Sequence, residues 1–268
     1  MLTLPRMQRI ELERHPRGQL ALAVVLRGMY SAGGLEIVVE GLEKLPQDRP
    51  VIVAMNHTDR YNYFPLQVRM ERLGLRHLAS WVKAKYYENP GMAALMERTA
   101  NIPLASRGWV VTTSFRQVMG RPPTGEEYRQ LKDLGDRCTL LGDVTAEGAR
   151  AFLKQSELED WADHVDTRFR AFAGEAVRLT GAAMDCGLHI QIFPEGTRRI
   201  RLGRGHIGLA QIAQHFGVAV VPVGCNGSHR VFPGNSPWPR RGRIVYRIGD
   251  PISVDDPAVA PFRVSEPF

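Results

Sequence analysis

Two rhythms of apolar positions run along the chain. Residues 35–40 (LEIVVE) partly alternate and, like 51–55 (VIVAM), are rich in β-branched side chains; with a turn between them they predict two strands. LHIQIF (188–193), VAVVPVG (218–224) and RIVYRIG (243–249) predict three more. Elsewhere the spacing is helical. Apolar residues recur at three and four positions from Tyr63 to Leu73, and a helix is expected over about 206–215. The stretch 107–190 lacks strand signals, and Thr124-x-x-Glu127 and Ser156-x-x-Glu159 each fit a capping box, in which a hydroxyl and a glutamate satisfy orphan donors at a helix start. After Ser156, a stripe of Leu158, Trp161, Val165, Phe169, Phe172, Ala176, Leu179 and Ala183 predicts one long helix that Gly187 stops. Residues 1–34 combine scattered arginines with the short apolar run LALAVVL (20–26) and close on Ser31-Ala32-Gly33-Gly34, the signature of an amphipathic helix and a turn.

Strands alternating with helices imply an α/β fold: a mostly parallel central sheet with helices on both faces, plus an inserted helical segment at about 109–186. The expected organisation is an N-terminal amphipathic segment (1–34), a main domain (35–255) around one principal core, and a tail (256–268). No apolar run reaches the eighteen or so residues that span a bilayer, and LALAVVL is bracketed by Arg17 and Arg27. The N-terminal helix therefore either packs on the domain or touches a membrane from the side. Cys138, Cys186 and Cys225 are far apart and form no Cys-x-x-Cys pair, which suggests neither a disulfide framework nor a zinc site. The histidines show no metal-ligand spacing. A cytoplasmic protein, peripheral on the inner face of the membrane, is expected.

The formal charge of +7 and a pI near 9.6 narrow the partners to anions: nucleic acid, lipid headgroups or a phosphorylated small molecule. The basic residues are not interleaved with aromatics in any recognisable nucleic-acid module, so nucleic acid is not expected. The chemistry concentrates at two strand ends, where open α/β sheets hold ligands. One is Asn56-His57-Thr58-Asp59-Arg60-Tyr61-Asn62, a histidine with a carboxylate two residues on and an amide five residues on. The other is Phe193-Pro194-Glu195-Gly196-Thr197-Arg198-Arg199, which gathers backbone N–H groups, a hydroxyl and guanidinium forks in one loop that can hold a phosphate. Tyr61, Tyr63 and Phe64 are read as core in preference to the lining of a ligand channel.

Taken together, the two segments resemble the glycerolipid acyltransferase family, which acylates lysophosphatidic acid and glycerol phosphate. Its first motif is a histidine and an aspartate separated by four residues, and its third is the hexapeptide found here as 193–198. VEGLEKLP before the histidine strand, Gly205 to Gly208, VAVVPV and VYRIGDPI agree in order, so the resemblance covers roughly 35–253. Three departures stand out. The second block reads Asn101-Ile102-Pro103-Leu104-Ala105-Ser106-Arg107, with its arginine about one position late. Asn62 stands where the family has aspartate, and 107–190 is longer than the usual spacer.

The resemblance implies an O-acyltransferase that moves a fatty acyl chain from acyl-CoA or acyl carrier protein to a lysophospholipid-like hydroxyl. It calls for no metal and no bound cofactor. His57 is implied as general base. Arg107, Glu195, Gly196, Thr197 and Arg198 are implied in binding the acceptor, with Glu195 ordering the arginines. The imidazole's orienting partner is left open between Asn62 and Asp59. Because Asn62 carries no charge, a non-catalytic, anionic-lipid-binding homologue is the alternative.

Overall fold

The computed structural model of the chain describes residues 2–234 and 236–263. Seven strands form one sheet: β1 (Leu35–Glu40), β2 (Ile52–Met55), β3 (Leu78–Lys83), β4 (Asn101–Leu104), β5 (His189–Ile192), β6 (Val220–Asn226) and β7 (Gly242–Ile248), in the order β1-β7-β6-β2-β5-β3-β4. The β1–β7, β2–β6, β2–β5 and β3–β5 pairings are parallel, and β6–β7 is antiparallel. The fold is thus a mostly parallel α/β sheet, with an antiparallel return that the sequence reading did not foresee. β3 and β4 were also not anticipated.

The strand order positions the site. β2 and β5 lie side by side, with Ile52 opposite Ile190 and Ala54 opposite Ile192. The chain leaves β2 toward β3 on one flank and leaves β5 toward β6 on the other. Right-handed connections that run in opposite directions across a sheet lie on opposite faces, which leaves a crevice at the carboxyl ends of the two adjacent strands, the topological switch point at which such sheets bind ligands. The histidine turn and the basic loop are the two segments that leave these ends.

The chain divides into two compact units, the first made of residues up to 10, 82–94 and 103–178, the second of 11–81, 95–102 and those from 179 on. Each has its own apolar cluster, where the sequence had led us to expect one principal core. In chain order the first four helices are α1 (Leu4–Gln8), α2 (Arg17–Ala32), α3 (Phe64–Arg72) and α4 (Pro90–Arg98). In the first unit, α5 (Arg107–Met119), α6 (Gly125–Gly135), α7 (Glu147–Gln155) and the start of α8 (Trp161–Asp185) bury Val111, Phe115, Leu131, Phe152, Trp161 and Val165. The Trp161 indole donates to Leu131 O at 2.7 Å, so the ring packs without leaving its N–H unpaired. In the second unit, Val53, Met55, Val221, Val223, Ile244 and Tyr246 pack with Tyr30 and Phe232. Val53 and Val221 face each other directly across β2 and β6.

The helix boundaries test the capping signals. At α6 the box is present in full: Thr124 Oγ1 accepts from Glu127 N, and Glu127 returns by accepting from Thr124 N at 2.7 Å. At Ser156 the expectation fails. Ser156 closes α7, its hydroxyl donating back to Leu153 O, and Glu157 adopts φ +53° before α8 begins at Trp161. Asp160 supplies the cap, accepting from Asp163 N at 3.0 Å. At the far end of α8, Gly187 takes φ +87° while its N–H bonds Met184 O and that of Leu188 bonds Ala183 O. That is the glycine stop the spacing predicts.

Candidate active site

The last residues of β2 are fastened to both neighbouring strands. Asn56 Oδ1 accepts from Cys225 N at 2.6 Å and its Nδ2 donates to Cys225 O at 3.0 Å, so one side-chain amide extends the pairing with β6 beyond the ladder. On the β5 side, His57 N donates to Glu195 Oε2 at 3.2 Å and His57 O accepts from Arg199 N at 2.8 Å. Glu195 is buried and its other oxygen accepts from Gly203 N. The Phe193 ring stacks on the imidazole with centroids 4.0 Å apart and planes 22° from parallel. His57 is therefore held by its backbone and by one ring face, contacts that occupy neither ring nitrogen.

The partner of the imidazole is Asn62. Its Oδ1 lies 3.0 Å from His57 Nδ1, while its Nδ2 donates to Asn56 O at 2.8 Å and lies 3.7 Å from Met55 Sδ. With the NH2 end of the amide held by acceptors, the carbonyl end faces the ring. A carbonyl oxygen can only accept, so Nδ1 carries the proton and Nε2 presents a lone pair. Asn62 has no exposed surface, and its own carbonyl accepts from Tyr246 Oη at 2.7 Å. Burial holds the imidazole below its ordinary value of 6.5, and the Arg198 charge pushes the same way against the Asn62 hydrogen bond. The ring is thus a neutral base at physiological pH.

Asp59 is buried and close in sequence, yet its carboxylate is engaged elsewhere. Oδ2 accepts from Thr58 Oγ1 at 2.9 Å and Oδ1 from Tyr61 N at 2.8 Å, the pattern of an Asx turn. It shapes the turn between His57 and Asn62. In the basic loop, Gly196 takes φ +60°, where a side chain is strained, and a Cβ there would sit 3.0 Å from His206 Cδ2. Thr197 and Arg198 follow and are exposed. Glu195 orders the backbone of the loop and of the histidine turn through N–H bonds, where guanidinium groups had been its expected partners.

Arg107 belongs to the first unit. Its Nε donates to Asp136 at 2.7 Å, Nη1 to Asp166 at 2.7 Å and Nη2 to Gly135 O at 2.8 Å, so the fork joins α5 to the end of α6 and to α8. Of the residues the sequence singled out, the second unit brings together His57, Asn62 and Glu195, with Arg198 close enough to act on the imidazole. Asn56, Tyr246 and Cys225 were given no role in the site by the sequence reading. Only Asn56, adjacent to the histidine, had a local signal that could have flagged it. Among the described residues no cluster of three or more His, Cys, Asp or Glu gathers to hold a metal ion, and no helix is long and apolar enough to cross a membrane.

No curated protein matches the chain in sequence. Among solved structures, the crystal structure of the 1-acyl-sn-glycerophosphate (LPA) acyltransferase PlsC from Thermotoga maritima is similar over 94% of this chain and 70% of that one, at 16% identity and a TM-score of 0.45. The family described as Acyltransferase matches residues 36–133. The matched residues contain His57, Asp59, Asn62 and Arg107, and they end before the basic loop at 193–199.

Proposed function

We propose that the chain transfers a fatty acyl group from a thioester donor, acyl-CoA or acyl carrier protein, to the hydroxyl of a lysophospholipid-like acceptor at a membrane surface. One observation carries the reading: the Asn62 amide, locked by Asn56, leaves His57 Nε2 unprotonated. That nitrogen takes the proton of the acceptor hydroxyl as its oxygen bonds to the thioester carbon. The tetrahedral oxyanion then collapses, the carbon–sulfur bond breaks, and the imidazolium returns its proton to the thiolate. An ester and a free thiol result. Arg198 and Thr197, on the loop tied to His57 through Glu195, supply charge and hydroxyl for the acceptor phosphate and hold its hydroxyl near the base.

The test is thiol release. Purified protein given long-chain acyl-CoA and lysophosphatidic acid should liberate free thiol with matching ester formation, and His57→Ala should abolish both. Equal release from the two proteins refutes the assignment, and none from either across acyl-CoA and acyl carrier protein donors refutes it and leaves a non-catalytic binder of anionic lipid.

A further inference from the structure

The segment that follows the site is unusual in both charge and exposure. Between Glu195 and Asp250 the sequence contains nine arginines, no lysine and no acidic residue, in a chain whose totals are 35 basic and 28 acidic. Two of the nine, Arg243 and Arg247, lie beside Glu36 and Glu40 of β1. Others sit on two loops that also expose large apolar side chains. On the loop between β5 and α9 (Gly208–Phe216), Ile200, Leu202 and Ile207 are 69%, 81% and 73% exposed, alternating with Arg199, Arg201 and Arg204. On the loop between α10 (Ser228–Val231) and β7, Trp238 is 69% exposed beside the exposed Arg240 and Arg241.

Topology puts these loops on one edge. β5 and β6 both run parallel to β2, so their carboxyl ends share an edge with the histidine turn. β7 returns antiparallel to β6, with Val245 opposite Asn226, so the loop before Gly242 opens on that same edge. Isoleucine, leucine and tryptophan left in water among arginines are costly to a protein that stays in solution. The combination matches the boundary layer of a bilayer, where apolar tips enter the acyl region, an indole sits at headgroup level, and guanidinium groups pair with phosphates.

We infer that the carboxyl edge of the sheet is a docking face for an anionic lipid bilayer, with Ile200, Leu202, Ile207 and Trp238 entering the interface and Arg201, Arg204, Arg240 and Arg241 contacting headgroups. The face deepens the acyl-transfer reading, and rests on it only for the consequence that the acceptor reaches His57 from the bilayer and not from water. Charge complementarity selects the occupant: a surface with no carboxylate across this stretch attracts anionic lipid and gains less from a zwitterionic one.

The full-length protein should cosediment with vesicles of phosphatidylcholine and phosphatidylglycerol far better than with phosphatidylcholine alone. Raising salt from about 0.1 M to about 1 M, which shortens the screening length from about 10 Å to about 3 Å, should weaken that binding. Arg201→Gln with Arg204→Gln should lower the partition coefficient by about fivefold per arginine. The triple change Ile200→Ser, Leu202→Ser and Ile207→Ser should lower it by about tenfold or more. Tryptophan emission should shift to the blue on binding, and Trp238→Phe should remove the shift. All substituted side chains are exposed, so thermal unfolding should not change.

Turnover separates the two claims. With a short-chain acceptor dissolved as monomers, the triple variant should match the parent, whereas with vesicle-borne acceptor it should fall with binding. Unaltered vesicle binding in both variants, no preference for the anionic vesicles, or stronger capture of RNA than of vesicles at equal phosphate would overturn the docking face. Absence of any thiol release, with vesicle binding as described, would overturn acyl transfer and leave the docking face standing.

Discussion

Asn62 is held at both ends of its amide, so a carboxylate in its place would turn one oxygen onto the carbonyl of Asn56, where an N–H now donates at 2.8 Å. Two facing acceptors in a site with no exposure cost about 1–3 kcal/mol and take the ring out of register, which outweighs the gain from pairing an imidazolium with a charge. Asn62→Asp should therefore lower kcat by about tenfold to a hundredfold and lower the melting temperature, measured on the purified variants. An increase in kcat would contradict this geometry. In serine proteases the aspartate-to-asparagine exchange costs about 10⁴ because the wrong tautomer results; here the second hydrogen bond of the amide selects the right one. His57 also fixes the pH profile. Its ordinary value of 6.5 is lowered, first by burial and then by Arg198, so activity should be lost only as pH falls below 6.5. Arg198→Gln removes a repulsion on the imidazolium and should move the midpoint of the acid limb of kcat/KM upward, in addition to raising KM for a phosphorylated acceptor. The sequence narrowed the partner of His57 to Asn62 or Asp59, both in its own turn, and left the choice open; the hydrogen bond that Asp59 accepts from Tyr61 N and that of Asn62 to the ring decide it. The bonds from His57 N to Glu195 and from Tyr246 to Asn62 O span 138 and 184 positions, and no local spacing reports them.

Among the elements, the strands that read clearly are those with β-branched runs between glycine or proline breaks, such as β1 and β5. β3 escaped because LASWVK carries one β-branched residue and runs into polar flanks, and β4 because Asn101-Ile102-Pro103-Leu104 contains a proline, which argues against a strand except at an edge. β4 is an edge strand. The two capping-box sequences show the limit of a four-residue pattern. Both spell a hydroxyl and a glutamate three apart, yet only Thr124 precedes a helix, because the chain turns through Glu157 at positive φ and restarts at Asp160. The consequence is measurable. Thr124→Ala should cost about 1 kcal/mol in urea unfolding, through loss of the bond to Glu127 N, while Ser156→Ala should cost no more than a few tenths. Equal losses would mean that the two hydroxyls do the same work.

At the scale of the whole molecule, one apolar cluster of described residues lies in the helical unit and another in the sheet unit. Phe152 is fully buried in the first, 5.4 Å from the Phe115 ring and 5.0 Å from that of Trp161. Phe152→Ala should cost about 3–5 kcal/mol. Amide hydrogen exchange in α5, α6 and α7 should speed up accordingly, with the strands of the second unit as internal reference. The strand order has a further consequence for biosynthesis. β5 fills the place between β2 and β3 although both leave the ribosome long before it. Until residue 192 has been translated and threaded into that slot, β2 and β3 carry unpaired amides on their facing edges, and no intermediate shorter than this can juxtapose the imidazole with the arginine loop. The nascent chain thus lacks the candidate site and is adhesive at once, a period in which a holding chaperone has a defined gap to shield.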